Sequence, residues 1–519
     1  MIIGSHLDLK GVIPKTDYLK TYLKDLSEIG INTLLVEYED IFPFAEPVDI
    51  LFNKDSVWTK ETLDQFLQDA AQYNIEIIPL QHCLGHLQYV FRWDKYRHLA
   101  ENTEYPCTVK LSDPDAKKLM KEMVAQVLEA HPNSKYFHLG MDEARYLQDS
   151  CLVEEYGGVF PLMMAYLEEM IELVESYNKT PIIWGDMIED YFEPGCKLFE
   201  KVKDRVIIMP WDYCSDGTES YFGRMHSRRM SKEYIKEPEN KAMPPITGAT
   251  NFVEDLSDEL LEVIDPYYQN GRWKSMWQVD WLTKEGVRVL GASSVRMSSQ
   301  GSVLPDFTFL GKNNTVWAEA ILRNNQVGVI ATSWGRGNTF CPPNFIPELS
   351  LITLAVLVKD LGGKGQDIWQ GIDRERLQYL LDLISRCKSD WDMEAAALKL
   401  MDELEPDLIS HKFEWKSLKL MVELYKMYKK IDPLLHEARY FQHEDLLIDT
   451  QWKRMINQMN NAIEEIARLR QRIQEHFSQR YHGKSFNEWL KFIFNYEFQL
   501  KQCIKDAEKK QVAATKLYC

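Results

Sequence analysis

The sequence predicts an α/β fold, a (β/α)8 TIM barrel followed by a C-terminal all-α helical domain. Short β-rich runs alternate with amphipathic helical runs through the first two-thirds of the 519 residues, and the strand-like runs number eight. Beyond about residue 365 the β signal stops. Eight strands alternating with helices is the count of a closed parallel barrel. A doubly wound open sheet is the alternative, but no GxGxxG or GxxxxGK[ST] motif follows any strand.

The strand predictions rest on apolar, β-branched runs bounded by turn-forming residues. They cover residues 2–9, 31–38, 75–82, 135–142, 180–187, 205–212, 288–295 and 327–334. Between them, several stretches place apolar residues at the spacing of one helix face. The clearest predicted helices are 18–30, 62–74, 116–130 and 162–178.

The alternation of strands and helices breaks once, between the sixth and seventh strands. Residues 214–285 are polar and rich in Trp and Tyr. A long βα connection lies on the active face of a barrel, so this insertion either lines the site or forms a solvent-side excursion with its own small core. We expect a catalytic barrel at 1–362, including this insertion, and a helical domain at 363–519.

The composition narrows the function classes. A formal charge of −18 disfavours a nucleic-acid partner. The N-terminus has no basic leader, and the apolar run 349–358 is about half the length that crosses a bilayer. Nine cysteines occur singly, without a CxxC pair. We expect a reduced, cytoplasmic protein without a cofactor or a membrane segment. We also expect that a homodimer, if it forms, uses the C-terminal helical domain.

The segment HLGMDEAR (138–145) places Asp142 and Glu143 side by side after an apolar run. Successive side chains of a strand point to opposite faces, so both carboxylates reach one pocket only where the strand ends and the backbone turns. Taken alone, such a pair is more often a solvated turn.

The other predicted strand ends favour a functional site. They read HLD (6–8), EYED (37–40), HCLGH (82–86), WGD (184–186), WDY (211–213) and WGR (334–336). Aromatic rings, carboxylates and histidines on one rim suit a sugar, whose C–H faces stack on rings while its hydroxyls bond to charged groups.

The adjacency of the two acids indicates a particular reaction. Ordinary glycosidases place their two catalytic carboxylates on opposite sides of the scissile bond. An adjacent pair fits better if the 2-acetamido oxygen of the substrate attacks the anomeric carbon. The Glu would then protonate the leaving oxygen, and the Asp would hold the acetamide N–H and stabilise the oxazolinium charge.

HLGMDE resembles the His-x-Gly-x-Asp-Glu signature of family 20 glycoside hydrolases, the β-N-acetylhexosaminidases. HLDLKG, LLVEYEDIFP, IIPLQHCLGH and WDY are similar to the hexosaminidase D branch of that family. The resemblance covers about residues 3–345. It implies an exo-acting, retaining enzyme that removes terminal non-reducing β-linked GlcNAc or GalNAc by substrate-assisted catalysis, with neither metal nor cofactor.

Carried over residue by residue, the resemblance assigns roles. Glu143 matches the general acid/base, and Asp142 matches the residue that orients the acetamide. Tyr213 matches the tyrosine that binds the acetamide carbonyl. The rings that would surround the acetamide and stack under the sugar are those of Trp184, Trp211 and Trp334.

The resemblance also implies a relay and a departure from the family pattern. His86 would contact the general acid, with Glu39 or Asp40 behind it, and would tune the acid toward neutral pH. The family usually has an Arg after the first strand and a Glu after the last, both on sugar hydroxyls. In this sequence Asp8 takes the place of the Arg, and Arg336 takes the place of the Glu. The acidic and the basic residue are thus exchanged, and we expect both to bind sugar hydroxyls.

Two other functions remain open at this stage. One is a sugar-binding barrel without catalysis, which would be expected to lack the general acid, whereas Glu143 is present. The other is a metal-dependent hydrolase or deacetylase of acetamido sugars. His82 and His86 have the spacing of two HExxH zinc ligands, but Cys83 replaces the glutamate of that motif, and no three-ligand cluster is evident.

Overall fold

The structure is a computed structural model. It describes residues 1–50, 57–220, 222–226, 228–236, 252–296, 304–336, 343, 346–387, 389–390, 392–444 and 449–518. At residues 222, 228–230, 235, 441–444, 449 and 510–518 it describes only the backbone.

Eight parallel strands close into a barrel, which confirms the predicted fold class. In spatial order they are β1 (Ile2–Asp8), β2 (Thr33–Glu37), β3 (Glu76–Leu80), β4 (Tyr136–His138), β5 (Thr180–Trp184), β6 (Ile207–Met209), β11 (Arg288–Arg296) and β12 (Gly328–Ser333), with β12 paired to β1. Each of the eight predicted strands overlaps one of them. Because the strands are covered on both faces, β1, β2 and β12 are buried along their whole length.

Two apolar layers hold the barrel together. The inner layer fills the barrel with side chains such as Leu35, Ile78 and Ile330. The outer layer packs the strands against the surrounding helices. The predicted helices are confirmed as α1 (Thr16–Ile29), α2 (Lys60–Gln72), α5 (Pro114–Ala130) and α7 (Val159–Ser176).

Capping residues fix the ends of these helices. Asp113 accepts hydrogen bonds from the first backbone N–H groups of α5, and Pro114 follows it at the first helical position.

The remaining helices of the barrel region are α3 (Gln88–Phe91), α4 (Asp94–Arg97), α6 (Val153–Tyr156), α8 (Asp186–Tyr191), α9 (Lys197–Val202), α10 (Asp258–Ile264), α11 (Trp277–Lys284), α12 (Phe307–Arg323) and α13 (Leu351–Asp360). Short 3-10 turns occur at Glu39–Ile41, Leu147–Asp149, Tyr234–Lys236, Val253–Asp255, Pro347–Ser350 and Glu405–Asp407.

In the residues that the structure describes, the insertion between β6 and β11 forms two small hairpins and two helices. The hairpins pair β7 (Phe222–Met225) with β8 (Arg228–Met230), and β9 (Tyr268–Gln269) with β10 (Arg272–Trp273). Trp273 packs against Trp277, with ring centroids 4.6 Å apart, and Trp277 stacks on Trp281 at 5.6 Å. The insertion therefore has an aromatic core of its own. Part of the predicted insertion, 237–251, lies outside the described residues.

The C-terminal part of the chain is helical, as predicted. Its helices are α14 (Arg374–Arg386), α15 (Met393–Leu404), α16 (Lys412–Glu444), α17 (Asp449–Phe477), α18 (Gly483–Ile493) and α19 (Asn495–Tyr518). Among the helices that the structure describes, none combines the length and the apolar character that a bilayer crossing requires.

The C-terminal helices also contact the loop that follows β1. The backbone N–H of Ile13 donates to Ser485 Oγ at 3.1 Å, and the N–H of Lys15 donates to the carbonyl of Arg480 at 2.8 Å. This loop lies at the carboxyl ends of the barrel strands, where barrel active sites form. The division into two domains at 362/363 stays a prediction, and these contacts tie the helical part to the active face.

Candidate active site

The backbone after β4 explains how neighbouring acids reach one cavity. Gly140, Met141 and Glu143 all have positive φ angles, of 68°, 75° and 45°. Positive φ is uncommon outside glycine and is concentrated at functional sites. The resulting turn breaks the alternation of a strand, so that Asp142 and Glu143 both line a cavity of about 580 Å³. Glycine is required at 140, because a Cβ there would lie 2.3 Å from His82 Nδ1.

His86 bridges the two carboxylates. Its Nε2 lies 3.2 Å from Asp142 Oδ2 and 3.4 Å from Glu143 Oε2. Burial lowers the pKa of His86, but the charge and hydrogen bonds of the two acids outweigh burial and raise the pKa well above its ordinary value. The two acids therefore favour the protonated form of His86.

The same contact sets the ionisation of both acids. The hydrogen bond from His86 lowers the pKa of Glu143, against the opposing effect of burial. Burial raises the pKa of Asp142, but the charge of His86 and the hydrogen bonds from His82 and His86 hold it well below its ordinary value. The predicted tuning of Glu143 toward neutral pH is wrong, because the contact with His86 lowers the pKa of Glu143 and does not raise it. The contact instead favours a proton on the imidazole of His86.

A second histidine supports Asp142 from behind. His82 Nδ1 lies 3.4 Å from Asp142 Oδ1, and His82 Nε2 lies 2.8 Å from Glu37 Oε1. His82 thus joins a buried carboxylate at the end of β2 to Asp142. Neither His82 nor His86 belongs to a group of three metal-ligand side chains among the residues that the structure describes.

Of the two carboxylates that we predicted behind the relay, Asp40 is engaged by another side chain, and the place of Glu39 behind His86 stays a prediction. Asp40 pairs with Arg92, with Oδ2 and Nη2 2.5 Å apart. Glu39 is buried, has a φ of 46° and is not among the cavity-lining residues. Burial raises the pKa of Glu39 to about 8. Glu37, from the same EYED segment, lines the cavity instead.

The predicted aromatic residues come together around the cavity, and all four line it. The rings of Trp184 and Trp334 lie 5.9 Å apart, and Trp211 stacks on Tyr213 at 5.3 Å. Burial raises the pKa of Tyr213, so its hydroxyl keeps its proton and can donate a hydrogen bond. Trp211 is therefore a cavity residue and not only a core residue.

Asp8 and Arg336 do not line the cavity. Asp8 Oδ2 accepts from the backbone N–H of Gly335 at 2.8 Å, and its Oδ1 lies 3.2 Å from Lys10 Nζ. Arg336 Nη2 lies 3.4 Å from Glu488 Oε2, in α18. Both predicted hydroxyl ligands are thus engaged by other protein groups, and their binding to sugar stays a prediction.

Lys10 lines the cavity in their place, and sequence reasoning missed it. Its Nζ lies 2.5 Å from Glu37 Oε1 and 5.1 Å from the ring centroid of Trp334. Burial lowers the pKa of Lys10, but the charges of Asp8, Glu37 and Glu39 outweigh it and raise the pKa, so Lys10 is charged. The signal was present in the HLDLKG segment, where the lysine follows the strand end by two residues.

Asp186 is a further residue that the sequence analysis did not assign. Its Oδ2 accepts a hydrogen bond from the backbone N–H of Glu143 at 2.9 Å, which fixes the turn that presents the two acids. Burial raises the pKa of Asp186 to about 7. It belongs to the WGD segment at the end of β5.

The fold and the cavity together define a class: a barrel whose active face holds paired acids among tryptophans, the arrangement of a sugar-processing site. The chain belongs to glycosyl hydrolase family 20, because the model of that family's catalytic domain matches residues 45–337. The match includes Asp142, Glu143, Trp184, Trp211 and Trp334.

Known proteins similar to this chain include two curated relatives. Human Hexosaminidase D is 32% identical over 218 residues, which cover 41% of this chain and 44% of the human protein. Bovine Hexosaminidase D is 30% identical over 218 residues, which cover 41% of this chain and 62% of the bovine protein. The chain therefore spans about half the length of the curated relatives it matches.

Solved structures that the comparison matches to this chain include Dispersin B, at a TM-score of 0.43 and 16% identity, covering 69% of this chain and 97% of that one. A β-N-acetylhexosaminidase crystal structure gives a TM-score of 0.47 at 13% identity, covering 75% of this chain and 78% of that one.

Proposed function

We propose that this protein is an exo-acting β-N-acetylhexosaminidase that removes terminal non-reducing β-linked GlcNAc or GalNAc with retention of configuration. The observation that supports the proposal most directly is the turn after β4. It brings two adjacent carboxylates, Asp142 and Glu143, to one cavity lined by tryptophans. Family membership and the two relatives named Hexosaminidase D agree with it.

In the first step the substrate supplies the nucleophile. His82 and His86 keep Asp142 ionised. Asp142 accepts a hydrogen bond from the acetamide N–H and so turns the acetamide carbonyl oxygen toward the anomeric carbon. The Tyr213 hydroxyl donates to that oxygen and positions it. The oxygen forms a bond to the anomeric carbon as the glycosidic bond breaks, and Asp142 stabilises the positive oxazolinium ring.

Glu143 delivers the proton to the leaving oxygen. In the free enzyme the proton rests on His86, whose Nε2 is 3.4 Å from Glu143. When Asp142 binds the acetamide N–H, its interaction with the protonated His86 weakens. The proton then moves from His86 to Glu143. In the second step Glu143 takes a proton from water, which opens the oxazolinium ring from the opposite side. Two inversions give net retention.

Lys10 and Glu37 bind the hydroxyls at the non-reducing end of the terminal sugar. They are a buried cation and anion on the cavity wall, 2.5 Å apart, and a sugar hydroxyl can accept from one and donate to the other. GlcNAc and GalNAc differ only in the 4-hydroxyl. The contact of this hydroxyl with Lys10 and Glu37 therefore sets the preference between the two sugars.

Replacing Glu143 by Gln tests the proposal. The amide keeps the size of the side chain but cannot donate the proton, so we expect kcat on a natural disaccharide to fall by roughly 10²–10⁴. Aryl glycosides with good leaving groups should lose less. The exposed Glu155→Gln is the matched control and should behave like the wild type.

Sugar binding should be largely retained in the Glu143→Gln protein, which calorimetric titration measures. Near-wild-type turnover of a natural disaccharide by this variant would refute the assignment of Glu143.

A cytoplasmic location and a homodimer through the C-terminal helices stay predictions.

A further inference from the structure

Three side chains of metal-binding type lie together away from the catalytic cavity, between the barrel and the C-terminal helices. They are Asp25 and Glu28 in α1 and His411, the residue before α16. The candidate ligand atoms of the three side chains all lie within 4.8 Å of one another. None of the three residues lines the cavity, and the proposed catalytic mechanism makes no use of them.

The backbone around the cluster holds the three side chains in place. Asp25 and Glu28 are three positions apart in α1 and therefore lie on one face of this helix. The N–H of Trp415 donates to the carbonyl of His411 at 3.1 Å, which joins His411 to the first turn of α16. The chain after the barrel also meets α1, because the N–H of Gln366 donates to the carbonyl of Glu28 at 2.9 Å. The cluster thus lies where the helical part of the chain contacts the barrel.

Buried atoms of the cluster lack hydrogen-bond partners in the part of the chain that the structure describes. Both ring nitrogens of His411 are enclosed, and neither makes a hydrogen bond. Asp25 is only 7% exposed, and its Oδ1 lies 3.6 Å from His411 Nε2, which is beyond hydrogen-bond distance. Buried polar groups in folded proteins are nearly always hydrogen-bonded, so these atoms indicate a ligand that supplies the missing partner.

The separation of these atoms fits a metal ion between them. Zinc bonds to nitrogen and oxygen ligands are about 2.0–2.2 Å long, and a tetrahedral arrangement then separates two ligand atoms by about 3.3–3.6 Å. The Asp25 oxygen and the His411 nitrogen, 3.6 Å apart, already have this separation. The Glu28 side chain is 36% exposed and can rotate to complete the set.

The charge of the cluster also suits a cation. Two carboxylates face one imidazole, so a divalent ion would balance the two negative charges. Lys24 competes for Glu28, since its Nζ lies 3.4 Å from Glu28 Oε1. The Lys24 side chain is 54% exposed, and an ion pair in such a position is weak, so Lys24 can release Glu28 to an ion.

The types of donor atom select the metal. One imidazole nitrogen and two carboxylate oxygens are ligands that zinc takes, and zinc sites with three protein ligands keep the fourth position for water. Mg²⁺ and Ca²⁺ are bound through oxygen ligands, so the imidazole disfavours them.

We propose that Asp25, Glu28 and His411 bind a Zn²⁺ ion, with water as the fourth ligand, and that this ion fastens α1 of the barrel to the start of α16. The site is structural and independent of the proposed catalytic function. Because α1 connects two parallel strands, its last turns lie near the amino ends of the barrel strands, away from the cavity. An ion that binds only the folded protein stabilises it by mass action.

The test measures thermal unfolding of the full chain after treatment with a chelator, with and without an excess of Zn²⁺. We expect Zn²⁺ to raise the unfolding temperature of the wild type by about 2 °C or more, and Mg²⁺ to leave it unchanged. Asp25→Asn and His411→Ala each remove a ligand. Both should lose the Zn²⁺-dependent shift and weaken Zn²⁺ binding, measured by calorimetric titration, at least about tenfold.

The matched control is His436→Ala, also in α16. His436 is 75% exposed in its side chain and lies 3.7 Å from a carboxylate oxygen of Asp432, so it removes an imidazole beside an acid without touching the cluster. This variant should keep the shift and the affinity of the wild type.

A wild type that neither binds Zn²⁺ nor is stabilised by it would refute the site. A shift that persists undiminished in Asp25→Asn and His411→Ala would also refute it, because the ion would then bind elsewhere. If these two variants fail to fold, Glu28→Gln, at the more exposed ligand, gives the result by the same criterion. The measurements need no substrate, so their outcome is separate from that of the proposed function.

Discussion

Lys10 is the charged group through which the cavity is expected to hold the terminal sugar, and Lys10→Met tests that role. Its ammonium lies 2.5 Å from Glu37 Oε1 and 3.2 Å from Asp8 Oδ1, and its side chain is 4% exposed. Methionine keeps the length of the chain and removes the charge. One lost hydrogen bond between a charged group and a sugar hydroxyl costs about 1.5–3 kcal/mol, or roughly 10- to 150-fold in kcat/KM.

Stability should fall as well, because two buried carboxylates lose their cation. Breaking a buried ion pair by removing one partner costs about 3–5 kcal/mol. Adding Asp8→Asn to Lys10→Met removes one of these carboxylates, while the amide oxygen still accepts from the N–H of Gly335. We expect the double variant to regain part of the lost stability and none of the lost activity.

The assay is kcat/KM on p-nitrophenyl β-GlcNAc and β-GalNAc, with thermal unfolding measured in parallel. Asp8→Asn alone is the matched control and should keep most of the activity, since Asp8 does not line the cavity. The reasoning is refuted if well-folded Lys10→Met is fully active on both sugars. It is also refuted if the double variant recovers activity together with stability.

Two further predictions concern the relay and Arg336. In the wild type, the His86–Glu143 pair keeps one proton between the lowered pKa of Glu143 and the raised pKa of His86. In His86→Gln only Glu143 can hold that proton, so the basic limb of the kcat/KM profile should move to lower pH. An unmoved basic limb would contradict the shared proton. Arg336→Ala should change kcat/KM less than about threefold, as should Glu488→Gln, because neither residue lines the cavity. A loss of activity above about tenfold at unchanged unfolding temperature would return Arg336 to the sugar site.

The fold could be predicted because its signals are local in the sequence. Strands covered on both faces give continuous apolar runs, and the barrel helices give a periodicity of one apolar face. The sequence alone is therefore enough to locate each of the eight strands. The adjacent acids and the tryptophans were found for a similar reason. In a barrel, residues at the carboxyl ends of different strands converge whatever their distance in the sequence.

The unconfirmed and missing assignments depend on geometry that the sequence does not encode locally. In the EYED segment, Glu37 is the last residue of β2 and lines the cavity, whereas Glu39 has a φ of 46° and does not. A turn of this kind is not visible in the order of four residues. Arg336 meets Glu488, which is 152 positions away in a helix outside the family match.

The buried position of Glu189 at the cavity was also not apparent from the sequence. Glu189 lies in a short helix between two other acids, a pattern that normally indicates a solvated face. In the structure it is only 2% exposed, because the β7–β8 hairpin packs over α8, with the N–H of His226 donating to the carbonyl of Glu189 at 3.0 Å. The insertion was recognised as a feature of the active face, but its Trp-rich sequence did not indicate which rings line the cavity.

The central claim is that the 2-acetamido group of the substrate is the nucleophile, oriented by Asp142 and assisted by Glu143. The most direct test measures kcat/KM for aryl β-glucosaminides whose N-acyl group carries zero, one, two or three fluorine atoms. Each fluorine makes the carbonyl oxygen less nucleophilic. The account predicts a steady fall across the series of well over about tenfold, that is, more than about 1.4 kcal/mol in the barrier. A rate that does not depend on fluorination would mean that a protein group or water attacks the anomeric carbon, and would contradict the account.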